Sequence, residues 1–287
     1  MDIRGRRQSS NIEDRRGMRP VRTGVGLSIG GVLFLVVLSL LGINPLPFLG
    51  VATQAPSEVQ MQDTGQPYQE SAEEAERRER MAVVLADTED TWNALLPQYG
   101  QQYVDPTLVL FTDVVQSACG TAQSAVGPFY CPADQKVYID LSFYDELAQR
   151  FGAPGDFAQA YVLAHEVGHH VQNLLGTAEK VNTAQQRASQ ADANALSVRM
   201  ELQADCYAGV WAHHAARSRQ LVESGDIEEG LDAASAIGDD RLQRMTQGRV
   251  VPDSFTHGSS EQRVRWFQQG LQSGTLEACD TFAARQL

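Results

Sequence analysis

His165-Glu166-Val167-Gly168-His169 sets two imidazoles four residues apart with a carboxylate between them. On an α-helix, positions i and i+4 differ by about 40° in direction, so both rings can face one cavity. Two imidazoles on one face supply two nitrogen ligands of the kind zinc takes. Glu166 stands about 100° round the helix from His165. That offset carries its carboxylate off the metal yet within reach of a neighbouring water, where a general base is needed. Tyr161, Val162, Leu163, Val171 and Leu174 flank the motif, so this helix is expected to be buried. Burying two histidines and a glutamate without partners is unfavourable, and a divalent cation relieves it.

A catalytic zinc takes three protein ligands and keeps one position open. The best third ligand lies in Glu201-Leu-Gln-Ala-Asp205, whose two acids are again four apart on one helical face. Glu201 is expected to bind the metal. Asp205 is expected to accept a hydrogen bond from the free N–H of a ligating histidine and so fix its tautomer. Met200, Leu202, Ala204, Cys206, Tyr207, Val210 and Trp211 make this helix apolar, which sets the pair apart from a solvated acidic face. A donor opposite the metal would stabilise an oxyanion. His257, in Thr256-His257-Gly258-Ser259, is the first candidate, and Tyr207 is the second because a phenol can do the same work. His170, His213 and His214 have no spacing that forces a role. Arg263 and Arg265 in the final helix are expected to pair with acids.

These side chains need rigid carriers. Asp156 to Leu175 reads as a helix stopped by Gly176. Further helices are expected around 186–218, 227–246 and 259–270. Upstream, Ser71 and Glu74 form a capping-box pattern that opens a helix running to about Leu96. Thr107–Phe111 and the alternating Lys136–Leu141 read as strands. Ser142 is expected to cap a short helix that ends at Gly152. Strands come early and helices dominate late, which makes the class α+β, predominantly helical with a small sheet. Of four cysteines, the favoured pairings are Cys119–Cys131 and Cys206–Cys279.

Charge divides the chain. The first 22 residues hold seven arginines against three acids, a net +4, which leaves −17 on the remainder of a chain of 287 residues whose total is −13. An acidic body with only two lysines excludes a nucleic-acid groove. Thr23 to Ser57 holds no charged residue, and Val25 to Ile43 within it is almost wholly apolar. Nineteen such residues nearly match the roughly 20 that span a bilayer. The arginines before the stretch place the N-terminus in the cytoplasm and the body outside it. A cleaved signal peptide is the rival reading, and Ala52-Thr53-Gln54-Ala55 matches its cleavage pattern poorly. The expected organisation is a basic cytoplasmic tail (1–22), a transmembrane helix (23–43), a Pro-, Gln- and Gly-rich linker (44–70) and a metal-binding domain (71–287).

His165–His170 (HEVGHH), the downstream SVRMELQADCYAGVW and FTHGSSEQRVRWFQQG together resemble the neutral zinc metallopeptidase family, the YpfJ-like proteins. RGRRQSSNIEDRRG and CGTAQSAVGPFYCPADQKVYIDLSFY carry the resemblance over nearly the whole chain. More distantly, H-E-x-x-H followed by E-x-x-A-D is similar to the gluzincins. The resemblance implies a zincin-like domain with one zinc on His165, His169 and Glu201, a catalytic Glu166, and protein or peptide substrates. In many zincins a strand upstream of the active helix pairs with extended substrate, and Lys136–Leu141 stands in that place. A different class of function, a non-catalytic zinc-stabilised adaptor outside the membrane, would require the fourth coordination position to be blocked.

Overall fold

The computed structural model describes residues 1–22, 59–63 and 68–287. The expected transmembrane helix and most of the linker lie outside these residues. Among the described residues, no helix is long and apolar enough to cross a membrane.

Among the described residues, three short strands precede the first helix: β1 (Ile12–Asp14), β2 (Met18–Arg22) and β3 (Val59–Asp63). Helix α1 (Ala72–Leu95) opens with the expected capping box, the Ser71 hydroxyl accepting from the Glu74 N–H and the Glu74 carboxylate from the Ser71 N–H. Strands β4 (Thr107–Phe111), β5 (Val114–Ser117), β6 (Gly120–Gln123), β7 (Phe129–Cys131) and β8 (Lys136–Asp140) follow. Then come α2 (Phe143–Gln149), α3 (Asp156–Leu174), α4 (Thr177–Gln185), α5 (Gln190–Arg217), α6 (Asp226–Ala236), α7 (Asp239–Gln247) and α8 (Ser260–Ser273).

The main sheet has the order β1-β4-β8-β7. β1, β4 and β8 run parallel, and β7 runs antiparallel to β8. Alternation divides the sheet's faces as a period of two requires. Leu108, Leu110, Val137 and Ile139 join the main core with the helices, while Val109, Phe111 and Tyr138 pack with Val115 and Cys131 behind them. β7 pairs with β8 only over Lys136–Tyr138, so the expected substrate-pairing edge is covered in its first half and is not laddered by β7 over Ile139–Leu141.

Other differences are local. Ser142 does not cap α2; its N–H and hydroxyl both donate to Asp140. Helix α4 was not foreseen. The helix expected over 227–246 is two helices, broken at Ile237-Gly238, where Gly238 lies so close to Ser260 that no side chain fits. α5 and α8 cross in close contact at Gly209 and Gly270, each facing the other helix's backbone. Both favoured disulfides are formed, Cys119–Cys131 behind the sheet and Cys206–Cys279 tying α5 to the C-terminal turn.

Residues 1–22 are not a separate tail. β1 is an edge strand of the main sheet, with Ile12 opposite Leu108 and Asp14 opposite Leu110. The Ser9 N–H donates to the Ala82 carbonyl, and the Met1 ammonium sits between Asp156 and Asp226. The boundary expected at residue 22 therefore does not separate this segment from the body.

Candidate metal centre and cleft

Helix α3 is buried along almost its whole length, and α5 packs against it. The approach is close because residue 168, inside the motif, is glycine. A Cβ there would lie 2.9 Å from the Ala204 carbonyl oxygen and 3.1 Å from the Ala204 Cα. This contact brings Glu201, one turn before Ala204, opposite the two imidazoles.

Glu201 Oε2 lies 3.2 Å from His165 Nε2, and Glu201 Oε1 lies 3.5 Å from His169 Nε2. One ligand atom from each of the three residues falls within 4.8 Å of the other two. Bond lengths near 2 Å in a tetrahedral zinc site require ligand atoms about 3.3 Å apart, which these separations fit. The opposite ring nitrogens are already engaged. His165 Nδ1 is 2.8 Å from Asp205 Oδ1, and His169 Nδ1 is 2.9 Å from Gln172 Oε1. With both Nδ1–H groups donating to these oxygens, both Nε2 atoms are left as acceptors facing one point. Among the described residues, no fourth His, Cys, Asp or Glu joins this group.

Asp205 is the centre of a buried network. Its side chain is fully buried and takes hydrogen bonds from the Tyr161 hydroxyl at 2.5 Å and from Arg263 Nε at 2.8 Å and Nη2 at 2.9 Å. Burial alone would raise its pKa; the Arg263 guanidinium and His165 outweigh it and hold the carboxyl at about 2. Arg265, the other arginine of α8, pairs with Glu261 at the surface. Tyr161 and Gln172 escaped the sequence reading. Tyr161 carried a usable signal, since it stands one turn before His165 on the same face. Arg263 was recognised as a pairing residue, but its partner follows from how α8 lies on α5.

Glu166, His165, His169, Glu201, His257 and Arg263 line one cleft of about 680 Å³. The Glu166 carboxylate receives no hydrogen bond from the described residues. His257 sits on the loop before α8 and is held by Asp239 at the start of α7. Asp239 Oδ1 lies 3.2 Å from His257 Nδ1, and Oδ2 accepts from the N–H groups of Thr256, His257 and Gly258. The hydrogen bond to Asp239 raises the His257 pKa against the opposing effect of burial. Tyr207, the other donor considered, is not in the cleft: it is buried edge-on against Trp92, with ring centroids 5.6 Å apart. The remaining histidines are structural. His170 bridges the Tyr130 hydroxyl and the Val104 carbonyl, His213 meets the Leu271 carbonyl and His214 the Gly274 carbonyl.

Two histidines one turn apart and a glutamate from the neighbouring helix converge beside an open cleft, a donor set that a zinc ion would fit. A family described as "Putative neutral zinc metallopeptidase" matches residues 1–282, and the chain belongs to it. It is 50% identical to the Escherichia coli K12 protein named "Uncharacterized protein YpfJ", over 98% of this chain and 99% of that one. It is 45% identical to "Uncharacterized protein Rv2575" of Mycobacterium tuberculosis H37Rv, over 72% of this chain and 71% of that one. No solved structure matches.

Proposed function

We propose that the protein is a zinc-dependent endopeptidase that works in an oxidising compartment on the membrane to which residues 23–43 attach it. One observation carries the catalytic reading: Glu166 presents to the cleft that holds the three-ligand set a carboxylate that takes no hydrogen bond from the described residues. His165, His169 and Glu201 would hold the ion. When bound, zinc polarises a carbonyl and makes a neighbouring water a stronger acid. Glu166 accepts the proton of the attacking water and delivers it to the departing amine nitrogen. His257, whose pKa the hydrogen bond to Asp239 raises, faces the developing oxyanion. Asp205 and Gln172 hold the two imidazoles in orientation through their Nδ1 atoms.

The cleft suits an extended chain with apolar side chains. β7 forms its wall through Phe129 and Tyr130 and is the outer strand of the sheet, so a peptide can pair with it. Val126, Phe143, Val162 and Leu242 add apolar surface, and Val126 is 69% exposed. The two disulfides support an oxidising compartment.

The test is cleavage of a peptide library by the full-length protein and by Glu166→Gln. The expected result is equal zinc content, with chelator-sensitive cleavage in the wild type alone. Zinc at one per chain with no cleavage by either would favour the adaptor reading.

A further inference from the structure

By composition alone, the arginine-rich start of the chain signals a cytoplasmic end with the body outside. Its contacts argue otherwise. β1 hydrogen-bonds in parallel register with β4, and the Arg15 N–H extends the ladder to the Leu110 carbonyl. Ser9 is buried against Glu89. Arg6 donates to the carbonyls of Arg219 at 2.8 Å and Gln220 at 2.7 Å. Arg7 pairs with Glu89 at 2.7 Å, and Lys136 returns a bond of 2.7 Å to Glu13. Arg16 is almost fully buried between Asp14 and Glu70. Of the positive charges in this segment, Arg6, Arg7, Arg15 and Arg16 are thus occupied in holding it to the body.

The exit and return of the chain agree. β2 and β3 pair antiparallel, with Arg22 directly opposite Val59. The 36 residues from 23 to 58 therefore leave the body and come back to it at one point, about 5 Å across. The first 35 of them carry no charge. A single bilayer crossing would separate the ends of such a stretch by about 30 Å of hydrocarbon. A β-ladder cannot form through that layer, because backbone groups must be paired within one compartment.

We infer that residues 1–22 and residues 59–63 and 68–287 occupy the same side of the membrane. The arginine-rich segment is then a strand and clamp of the body, and its charges do not report a cytoplasmic end.

All four native cysteines are in disulfides, so an introduced cysteine is the only thiol. Arg4 and Glu261 are exposed, with side chains 90% and 82% accessible. The full chain carrying Arg4→Cys or Glu261→Cys is treated with a membrane-impermeant maleimide in vesicles of both orientations. Labelling of both positions in the same vesicle orientation is expected; labelling in opposite orientations overturns the inference. A second variant tests the docking itself. Gln8 and Glu79 side chains are 3.2 Å apart, so Gln8→Cys with Glu79→Cys should be joined by a short bismaleimide in native membranes. Two reactive thiols that do not cross-link would also overturn it. Neither pair touches the cleft, so a peptidase-inactive protein would still give either result.

Discussion

The carbonyl oxygen of Ala204 occupies the space a side chain at position 168 would need. The second half of the metal motif is therefore also the point of nearest approach between the helix that carries the imidazoles and the helix that carries Glu201. Gly168→Ala should drive α3 and α5 apart, destabilising the fold by about 1–3 kcal/mol as overpacking does. Zinc affinity should fall with it, measured by chelator competition. A variant with unchanged affinity would show that Glu201 is not positioned by this contact.

Asp205 joins three buried groups, the Tyr161 hydroxyl, the His165 ring and the Arg263 guanidinium. Asp205→Ala should leave the Arg263 guanidinium uncompensated and lower stability by about 3–5 kcal/mol. Asp205→Asn keeps the shape but weakens the hold on His165, and zinc affinity should drop about 10–100-fold. The check is urea denaturation together with zinc titration. Equal affinity in Asp205→Asn and wild type would mean that His165 is oriented by something else.

His257 should act on the rate more than on binding. His257→Gln should lower kcat about 100-fold with KM little changed, as loss of an oxyanion donor does. Because Asp239 raises the His257 pKa, the imidazolium persists above the ordinary value of 6.5, and activity should decline as pH rises through the raised value. Asp239→Asn should shift that alkaline limb down toward 6.5. A pH–rate profile that ignores both substitutions would remove His257 from the mechanism.

Acid should release the N-terminal segment. Hydrogen bonds from Arg15 and Lys136 hold Glu13 at about 2, and those from Arg78 and Arg16 hold Glu70 at about 2, both below the ordinary 4.5. A carboxylate depressed in this way stabilises docking fully above 4.5, and the contribution is lost as pH falls toward 2. Both side chains are partly exposed, 39% for Glu13 and 25% for Glu70, and solvent screening keeps the effect per residue small. Hydrogen exchange should show residues 9–16 losing protection within that window. Protection that persists to pH 2 would mean that the backbone ladder alone holds the strand.

The parts of this architecture that sequence exposed are those written at short range. His165, His169 and Glu166 declare themselves because one helical turn sets their spacing, and Glu201 with Asp205 for the same reason. The capping box at Ser71 and the stop at Gly176 are equally local. Arg263 on Asp205, and Asp239 beneath His257, depend on how distant helices cross, and no periodicity records that. β1 was invisible because Ile12-Glu13-Asp14 has no strand pattern; its partner β4 makes it a strand. The break at Gly238 was missed because the polarity of 227–246 runs on through it, while the steric limit comes from Ser260.

The clamp of Arg6 on the Gln220 carbonyl spans 214 residues of sequence. During synthesis this clamp cannot close until α5 and the turn after it have emerged. Contacts of such separation form late and slow the search for the native state. The catalytic half can collapse around its own helices first, and the beginning of the chain is then the last piece to be laid down. Synthesis and folding would run in opposite directions along this polypeptide.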